Sequence, residues 1–571
     1  MGKEITELYQ DWSGGLNTLI APDRINANQS PTHSNVWYND GALQKKPGQL
    51  KISSGGNGDT ILGHLWSGYS MHTSVQSGGT QILYILASLG VSRNIIATVT
   101  ASSVSTSSYL GTYSVYPGTV STGVSSPTVT GSGTTWQTDG TVQPGTLIWV
   151  NNHSGQVLTV DSNTQLTLTG NFGQLNTSQA YSLTPSWATT NRVSYVDMNS
   201  FCWISGQGSP TIKTAGSTAV YVTAFPQAAY TISYSNYIFA AGTSANPSRV
   251  SWSALKDPTT WPASNFVDVS PDDGFPIVGM FLDGQSIVIL KTNSCWKLTG
   301  GAFDPTNPTY TLTQVYCPSD FVVNSPKSVQ LLGNGFIVLG KSGFYSYNGA
   351  GAISKLFNFN IIQGEFANMG AFAWGLIPSV TAEPSSMIVD GNYWLQVPNA
   401  LSSISASDKE LTYVLDQTGA AWKWAATANG MISDFAYLNG TLYGVNSYSG
   451  GTPGLIQLNT GNSDAQTTAI AGTTTTKVFE YQNLQRFGKV NVYLKKQSAG
   501  NLTFEYSVDE GSFSSVSIDM TGGGTGGVRI KSNDITVGVV GRTIQYRVSN
   551  STAAQTFEVY GIELNRRDLE N

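Results

Sequence analysis

The sequence predicts an all-β chain: a β-propeller-like body of about six blades, a small β-domain inserted into it, and a β-sandwich-like region at the C-terminal end. Three observations carry this expectation. Apolar residues at helical spacing over more than two turns are scarce, whereas short alternating runs bounded by Gly, Asn, Asp or Ser recur throughout, as at 81–86, 285–290 and 335–339. Asp-Gly and Asn-Gly dipeptides follow apolar runs at near-regular intervals. Charged residues are 11% of the chain, against about 25% in ordinary soluble domains, and glycine fills 62 of 571 positions. A chain of 571 residues exceeds one core of roughly 100–200 residues, which calls for several domains or one large repeat fold.

The elements follow in order. Residues 1–50 read as an N-terminal arm with the first strands. Residues 51–123 and 186–465 read as the propeller-like body. Its unit is an apolar run, a tight polar turn, an alternating strand and an aromatic-rich strand, with turn glycines at Gly284, Gly335, Gly391 and Gly440. Their spacings of 51, 56 and 49 residues suit a blade of several strands. Weaker copies turn at Met198-Asn199 and Ser235-Asn236, and a hairpin at 82–98 offers a further blade. An array of β-sandwiches is the competing reading. Residues 124–185 break the rhythm with short strands lacking such turns, beside a Ser/Thr-rich stretch at 101–108, and read as a small inserted β-domain. Residues 466–571 carry longer alternating strands and a glycine-rich loop at 521–527, and read as a β-sandwich-like domain.

The chemistry of the side chains excludes several classes. A net charge of −6 gives no basis for gripping phosphates. Cys202, Cys295 and Cys317 are odd in number and far apart, so they read as buried small apolar residues rather than a disulfide framework or zinc knuckle. His33, His64, His72 and His153 show no HxxxH or HxxH pairing, and no metal or cofactor is expected. No GxSxG elbow, P-loop or CxxC is present, and Gly206-Gln-Gly208 lacks a third glycine. The acidic loop from Asp268 to Asp273 reads as a solvated inter-blade loop, a calcium site or a carboxylate pair. The 14 Trp and 27 Tyr read as inter-blade packing or as sugar platforms. The opening residues lack a signal-peptide pattern and no run approaches a membrane span. No catalytic residue is expected, and the chain reads as a non-enzyme.

The N-terminal segment is the most informative. It contains Trp12, Gly14, Gly15 and Asn17 in Asp-Trp-Ser-Gly-Gly-Leu-Asn, then Asn35 in Ser-Asn-Val-Trp-Tyr, Gly41 in Asp-Gly-Ala-Leu, and Lys45-Lys46-Pro47-Gly48. This segment resembles the opening of the tail nozzle (tail hub, or tubular) proteins of short-tailed, podovirus-type bacteriophages, which more often carry Arg where Lys45 and Lys46 stand. A second similarity lies in Pro247-Ser-Arg-Val-Ser-Trp-Ser with Asp257-Pro and Trp261, leading to the strand ending Cys295-Trp-Lys-Leu. The inserted module is similar to a small β-domain found in many phage structural proteins.

The resemblance implies a virion structural protein of the tail, assembled in the host cytoplasm. Six copies, a homohexamer, would form a ring-shaped conduit below the portal and adaptor for DNA retention and ejection. Its partners would be the tail adaptor (the head-to-tail connector), tail fibres or spikes, and double-stranded DNA in transit. The acidic balance suits a tube that holds DNA weakly, and is equally ordinary for a soluble protein. Lys45 and Lys46 would contact an acidic adaptor or be solvated; the lumen-lining residues are not legible. Two other readings stand beside it. One is a receptor-binding or fibre-attachment protein recognising a host surface glycan; the other is a propeller hydrolase using Asp272 or Asp273.

Overall fold

Among the described residues, the computed structural model is built from strands joined by tight turns, with 3-10 turns at Pro271–Asp273 and Pro326–Ser328. It describes residues 4–569 apart from 18–19, 53–66, 89–92, 101–106, 110–117, 139, 141, 152, 185, 189–191, 217–218, 285, 301–302, 304–308, 324, 333–334, 341–342, 350, 357–382, 397–411, 416–420, 425–431, 447–454, 465–467, 522–528 and 532–534. The glycine-rich loop, His64 and most of the Ser/Thr-rich stretch therefore lie outside the described residues.

Seven antiparallel sheets make the propeller, where about six blades were expected. Each winds outward from its first strand. Blades two to six start at Val193–Met198, Tyr230–Tyr234, Ile277–Leu282, Gln330–Leu332 and Ser385–Val389. Blade seven runs Ile432–Leu438, Thr441–Asn446, Leu455–Gln457, and takes its outermost strand from Leu50–Lys51 near the other end of the chain. That borrowed strand lets the start of the chain close the ring.

Blade one holds Ser67–Val75, Gln81–Ser88 and Arg93–Thr100. Its outer strand is interrupted: Ser107–Tyr109 pairs with 97–99, and Ser186–Ala188 continues the same edge against 93–95. Between the two halves lies the inserted module, a seven-stranded sheet from Thr119–Thr122 to Ser182–Thr184. The module has its own core of Val120, Val129, Trp136, Ile148, Leu166 and Leu183, and the Trp136 indole donates to the Tyr181 hydroxyl at 2.9 Å. A unit with a private core is tolerated in a strand edge because its ends return to adjacent positions.

The turns explain why the repeat was visible. Asp390-Gly391 and Asn439-Gly440 are two-residue hairpins with both φ positive (50° and 78°; 48° and 76°), the geometry that Asx-Gly favours. Asn199-Ser200 and Ser235-Asn236 turn the same way without glycine. Gly284, at φ 92°, follows Asp283, whose backbone N–H donates to the Ser286 carbonyl oxygen at 3.1 Å. Gly335 is not a turn glycine. It opens the strand Gly335–Gly340, where a Cβ would fall 1.7 Å from the Tyr347 carbonyl oxygen.

Apolar residues from adjacent blades interdigitate in successive clusters, for example Tyr84, Leu86 and Trp187 with Cys202, Ile204 and Ile212 between blades one and two. Phe239, Trp252 and Phe303 pack with Ile287, Ile289 and Leu298 between blades three and four. Aromatics of the body pack in this way, and four of its tryptophans, Trp187, Trp203, Trp252 and Trp422, are almost fully buried.

The C-terminal strands form one twelve-stranded, nearly closed barrel-like sheet where a β-sandwich-like region was expected, and it includes the N-terminal arm. Glu4–Tyr9 pairs with Glu558–Asp568, Thr32–Ser34 with Gly472–Thr475, and Ala42–Lys45 with residues 558–559. Its core of Val36, Leu43, Phe487, Val492, Phe504, Ile544 and Val559 runs on into Trp394, Trp422 and Trp424 of blade six.

Candidate functional site

Polar groups converge where the inner strands of the propeller begin. Arg192 immediately precedes the first strand of blade two, and Glu383 precedes that of blade six by two residues. Their side chains pair, Arg192 Nη1 to Glu383 Oε2, at 2.5 Å. Blades two and six are not neighbours in a ring of seven, so this ion pair crosses the bore.

Both partners are braced. Glu383 is 0% exposed at its side chain and also accepts from Ser325 Oγ (3.2 Å) and the Lys327 backbone N–H (3.1 Å). Burial alone would lower the guanidinium pKa, but Glu383 and Tyr230 outweigh it and hold the arginine charged well above its ordinary value. Lys327 lies 3.6 Å from Asp434 on the inner strand of blade seven. Asp434 in turn accepts from the backbone N–H groups of Met71 and Phe435 at 3.0 and 2.9 Å. A cavity of about 200 Å³ remains beside this group, bounded by Ser70, Arg192, Tyr195, Tyr230, Lys327 and Asp434. Every carboxylate here is engaged by a cation or by donors. The arrangement closes and cross-braces the bore; it does not poise an acid against a base.

The acidic loop is organised by ion pairs. Asp268 forms a two-point pair with Arg249 at 2.7 and 2.9 Å, and that hydrogen bonding holds its carboxyl below the usual range. Burial would raise Asp273, but the fully buried Lys291 ammonium at 2.6 Å overrides it and keeps the acid low. Lys291 also donates to the Val269 and Ser270 carbonyl oxygens at 2.8 and 2.7 Å. The loop joins blades three and four and is largely exposed, as the solvated inter-blade reading has it, while Asp268 and Asp273 are engaged by Arg249 and Lys291 and are not a free carboxylate pair. Asp272, the other acid of the hydrolase reading, sits in the first turn of Pro271–Asp273.

The motif residues of the N-terminal arm lie together in intrachain packing. Trp12 is 3% exposed, and its ring meets Tyr9 edge-on at 4.5 Å. A Cβ on Gly14 would fall 2.6 Å from the Gln29 side chain, and Gly15 takes φ 65°. Asn17 Nδ2 donates to Gln29 Oε1, and Asn35 Nδ2 donates to the Ala471 carbonyl oxygen. Asp40-Gly41 is a two-residue hairpin with φ 50° and 74°. Past Pro47, a Cβ on Gly48 would meet the Ser463 carbonyl oxygen at 2.3 Å.

Lys45 and Lys46 are buried, at 4% and 3% exposure, which corrects the expectation that they contact an adaptor or stand in solvent. Lys45 Nζ donates to Asn550 Oδ1 (2.9 Å) and to the carbonyl oxygens of Gln555 (2.8 Å) and Thr552 (3.3 Å).

Two features escaped sequence reasoning. A cavity of about 690 Å³ on blade four is bounded by Phe275, Asn293, Gln314, Tyr316, Pro318 and their neighbours, with no charged residue among them. Tyr316 is 71% exposed and Phe275 39%. The second is a group of His72, Asp197 and Cys202, brought together from sequence positions with no recognisable spacing. The three cysteines are free, as expected, with Cys202 and Cys295 buried. No helix among the described residues is long and apolar enough to cross a membrane, which leaves strands out of account.

No family model and no curated protein matches the chain. Solved structures similar to it include the WD40 domain of Neurospora crassa Pan2, at 7% identity and TM-score 0.33, covering 75% of this chain and 97% of that one. A glycoside hydrolase family 43 arabinoxylan arabinofuranohydrolase from Bacillus subtilis matches at 9% identity and TM-score 0.24, over 90% and 98%. An exo-β-1,3-galactanase from Phanerochaete chrysosporium matches at 11% and 0.21, over 65% and 95%. At such values the likeness carries no argument about activity. The fold rests on the strand pairing above.

Proposed function

We propose that the chain is a structural subunit of the tail of a short-tailed bacteriophage, standing with other copies in a ring below the portal and adaptor. The observation that carries this reading is the fate of the N-terminal segment. Its nozzle-like residues fall where the geometry demands them: glycines where a Cβ would collide (Gly14, Gly48) or where φ is positive (Gly15, Gly41), and a lysine held by three acceptors (Lys45). That the resemblance falls on positions which this fold uses supports the reading.

The closed bore adds a constraint. With Arg192 and Glu383 bridging it, DNA in the proposed assembly passes along the axis of the ring of subunits and not through a propeller. The role is mechanical and non-enzymatic in this reading, with paired charges bracing a β-rich wall. The test is co-purification of the chain with a candidate adaptor of a short-tailed phage. A complex of defined copy number is the expected result, and two proteins that elute separately at micromolar concentration would overturn the reading.

A second reading, attachment to a host glycan, is favoured by the uncharged hollow beside Tyr316. Exposed rings flanked by amides and hydroxyls suit the faces and edges of a neutral sugar. Glycan-array binding that Tyr316→Ala abolishes would promote it, and an array without signal would dismiss it.

A further inference from the structure

The group His72, Asp197 and Cys202 lies where blade one meets blade two. Asp197 and Cys202 are register partners across the Asn199-Ser200 hairpin, so their side chains leave the same face of the sheet with Cβ atoms about 5 Å apart. His72 stands on the inner strand of blade one and reaches across the gap, its Nε2 2.9 Å from Asp197 Oδ2. One nitrogen, one sulfur and one carboxylate oxygen all lie within 4.8 Å of one another.

Two of the three are already oriented from behind. The other Asp197 oxygen accepts from Ser74 Oγ at 2.6 Å, and the His72 ring stacks on Tyr195 with centroids 5.4 Å apart and planes 9° from parallel. Such outer contacts fix ligand geometry in metal sites. The donor set of imidazole, carboxylate and thiol is one that zinc takes, at about 2.0–2.3 Å per bond. Ligand atoms on one tetrahedral ion stand roughly 3.5 Å apart, so side-chain rotation of modest extent closes the site.

We infer that His72, Asp197 and Cys202 bind a divalent zinc-class cation that clips blade one to blade two. His72 contributes Nε2 with its proton on Nδ1, Asp197 a carboxylate oxygen, and Cys202 its sulfur. On binding, the Cys202 S–H proton passes to solvent as the metal–sulfur bond forms, and nothing is oxidised or reduced. Water fills the fourth position, on the side where Asp197 meets solvent (38% side-chain exposure). The inserted module hangs from the outer edge of blade one, and a clip at that blade's inner strand holds its base fixed against the ring.

The test uses the full chain, stripped with a chelator and titrated with Co²⁺ as the probe. One equivalent should produce a thiolate-to-cobalt absorption in the near ultraviolet with visible bands of a four-coordinate ion, and Zn²⁺ should bleach both. Cys202→Ser should lose the ultraviolet band, while His72→Gln and Asp197→Asn should weaken Co²⁺ binding about tenfold or more. A Cys295→Ser/Cys317→Ser double variant should keep the spectrum. Absence of the band at excess Co²⁺, or its survival in Cys202→Ser, would overturn the inference. If Cys202→Ser does not fold, Zn²⁺ calorimetry on the other two single variants decides: affinity equal to the parent's would likewise overturn it.

Discussion

Replacing Lys45 by Met tests whether the nozzle-like segment is an internal brace. The ammonium lies at 4% exposure among Asn550 Oδ1, the Gln555 carbonyl and the Thr552 carbonyl. Methionine fills a similar volume but leaves these acceptors facing hydrocarbon. Each buried acceptor left unmade costs about 1–3 kcal/mol. Against that, the variant no longer desolvates a cation, an offset of several kcal/mol. Two stranded acceptors cost about 2–6 kcal/mol, of the same size as that offset, so the measurement reads which wins: the brace requires a net loss of more than about 1 kcal/mol. Urea unfolding followed by tryptophan fluorescence reads it, because Trp12, Trp37 and Trp424 lie in the same core cluster. Exposed Lys496→Met is the control and should stay within about 0.5 kcal/mol of the parent. If Lys45→Met matched that control, the brace would be refuted, and a Lys45 that mattered only for adaptor binding would restore the surface role.

Three further outcomes follow from the same structure. Gly48→Ala should lower the midpoint of thermal unfolding by several degrees, since its Cβ would stand 2.3 Å from the Ser463 backbone oxygen and must displace main chain; a midpoint unchanged in calorimetry would show that the approach relaxes freely. Asp268 and Asp273 both have folded pKa values lowered by their cationic partners, so their contribution is present above the ordinary aspartate pKa and lost as pH falls through the folded values. Stability measured by urea titration should therefore fall on acidification below about pH 4, and fall less steeply in an Asp268→Asn/Asp273→Asn variant; parallel curves would contradict the pairing. The inserted module, expressed alone as residues 118–184, should unfold cooperatively because its core is its own, and a non-cooperative melt would show that it depends on blade one.

Much of the propeller was legible because its chemistry is local. Asp390-Gly391 and Asn439-Gly440 declare themselves as hairpins through the positive φ that they accept. Gly335 shows the limit of that signal. The dipeptide looks the same, yet the glycine is there to let two strands approach, and only the fold reveals which strand comes near. The outer strand of blade seven was hidden for a related reason: residues 50–51 supply it, about four hundred positions from their partners, although the Asn439-Gly440 hairpin of that blade was plain in the sequence. The sites fared worse still. Arg192 and Glu383 meet across the bore, and His72 meets Asp197 across a blade junction, so no spacing in the chain encodes either encounter. Buried Lys45 and Lys46 carry the same lesson in reverse, since a basic pair before Pro-Gly reads as surface until the C-terminal sheet is folded over it.

The most direct measurement of the central claim is the copy number and symmetry of the native particle. Electron-microscopic projections of the chain at high concentration, alone and with its adaptor, should show rings of six with an open centre and a mass six times that of the chain. A three-fold elongated particle, or a chain that stays single in the presence of the adaptor, would contradict the tail-ring account.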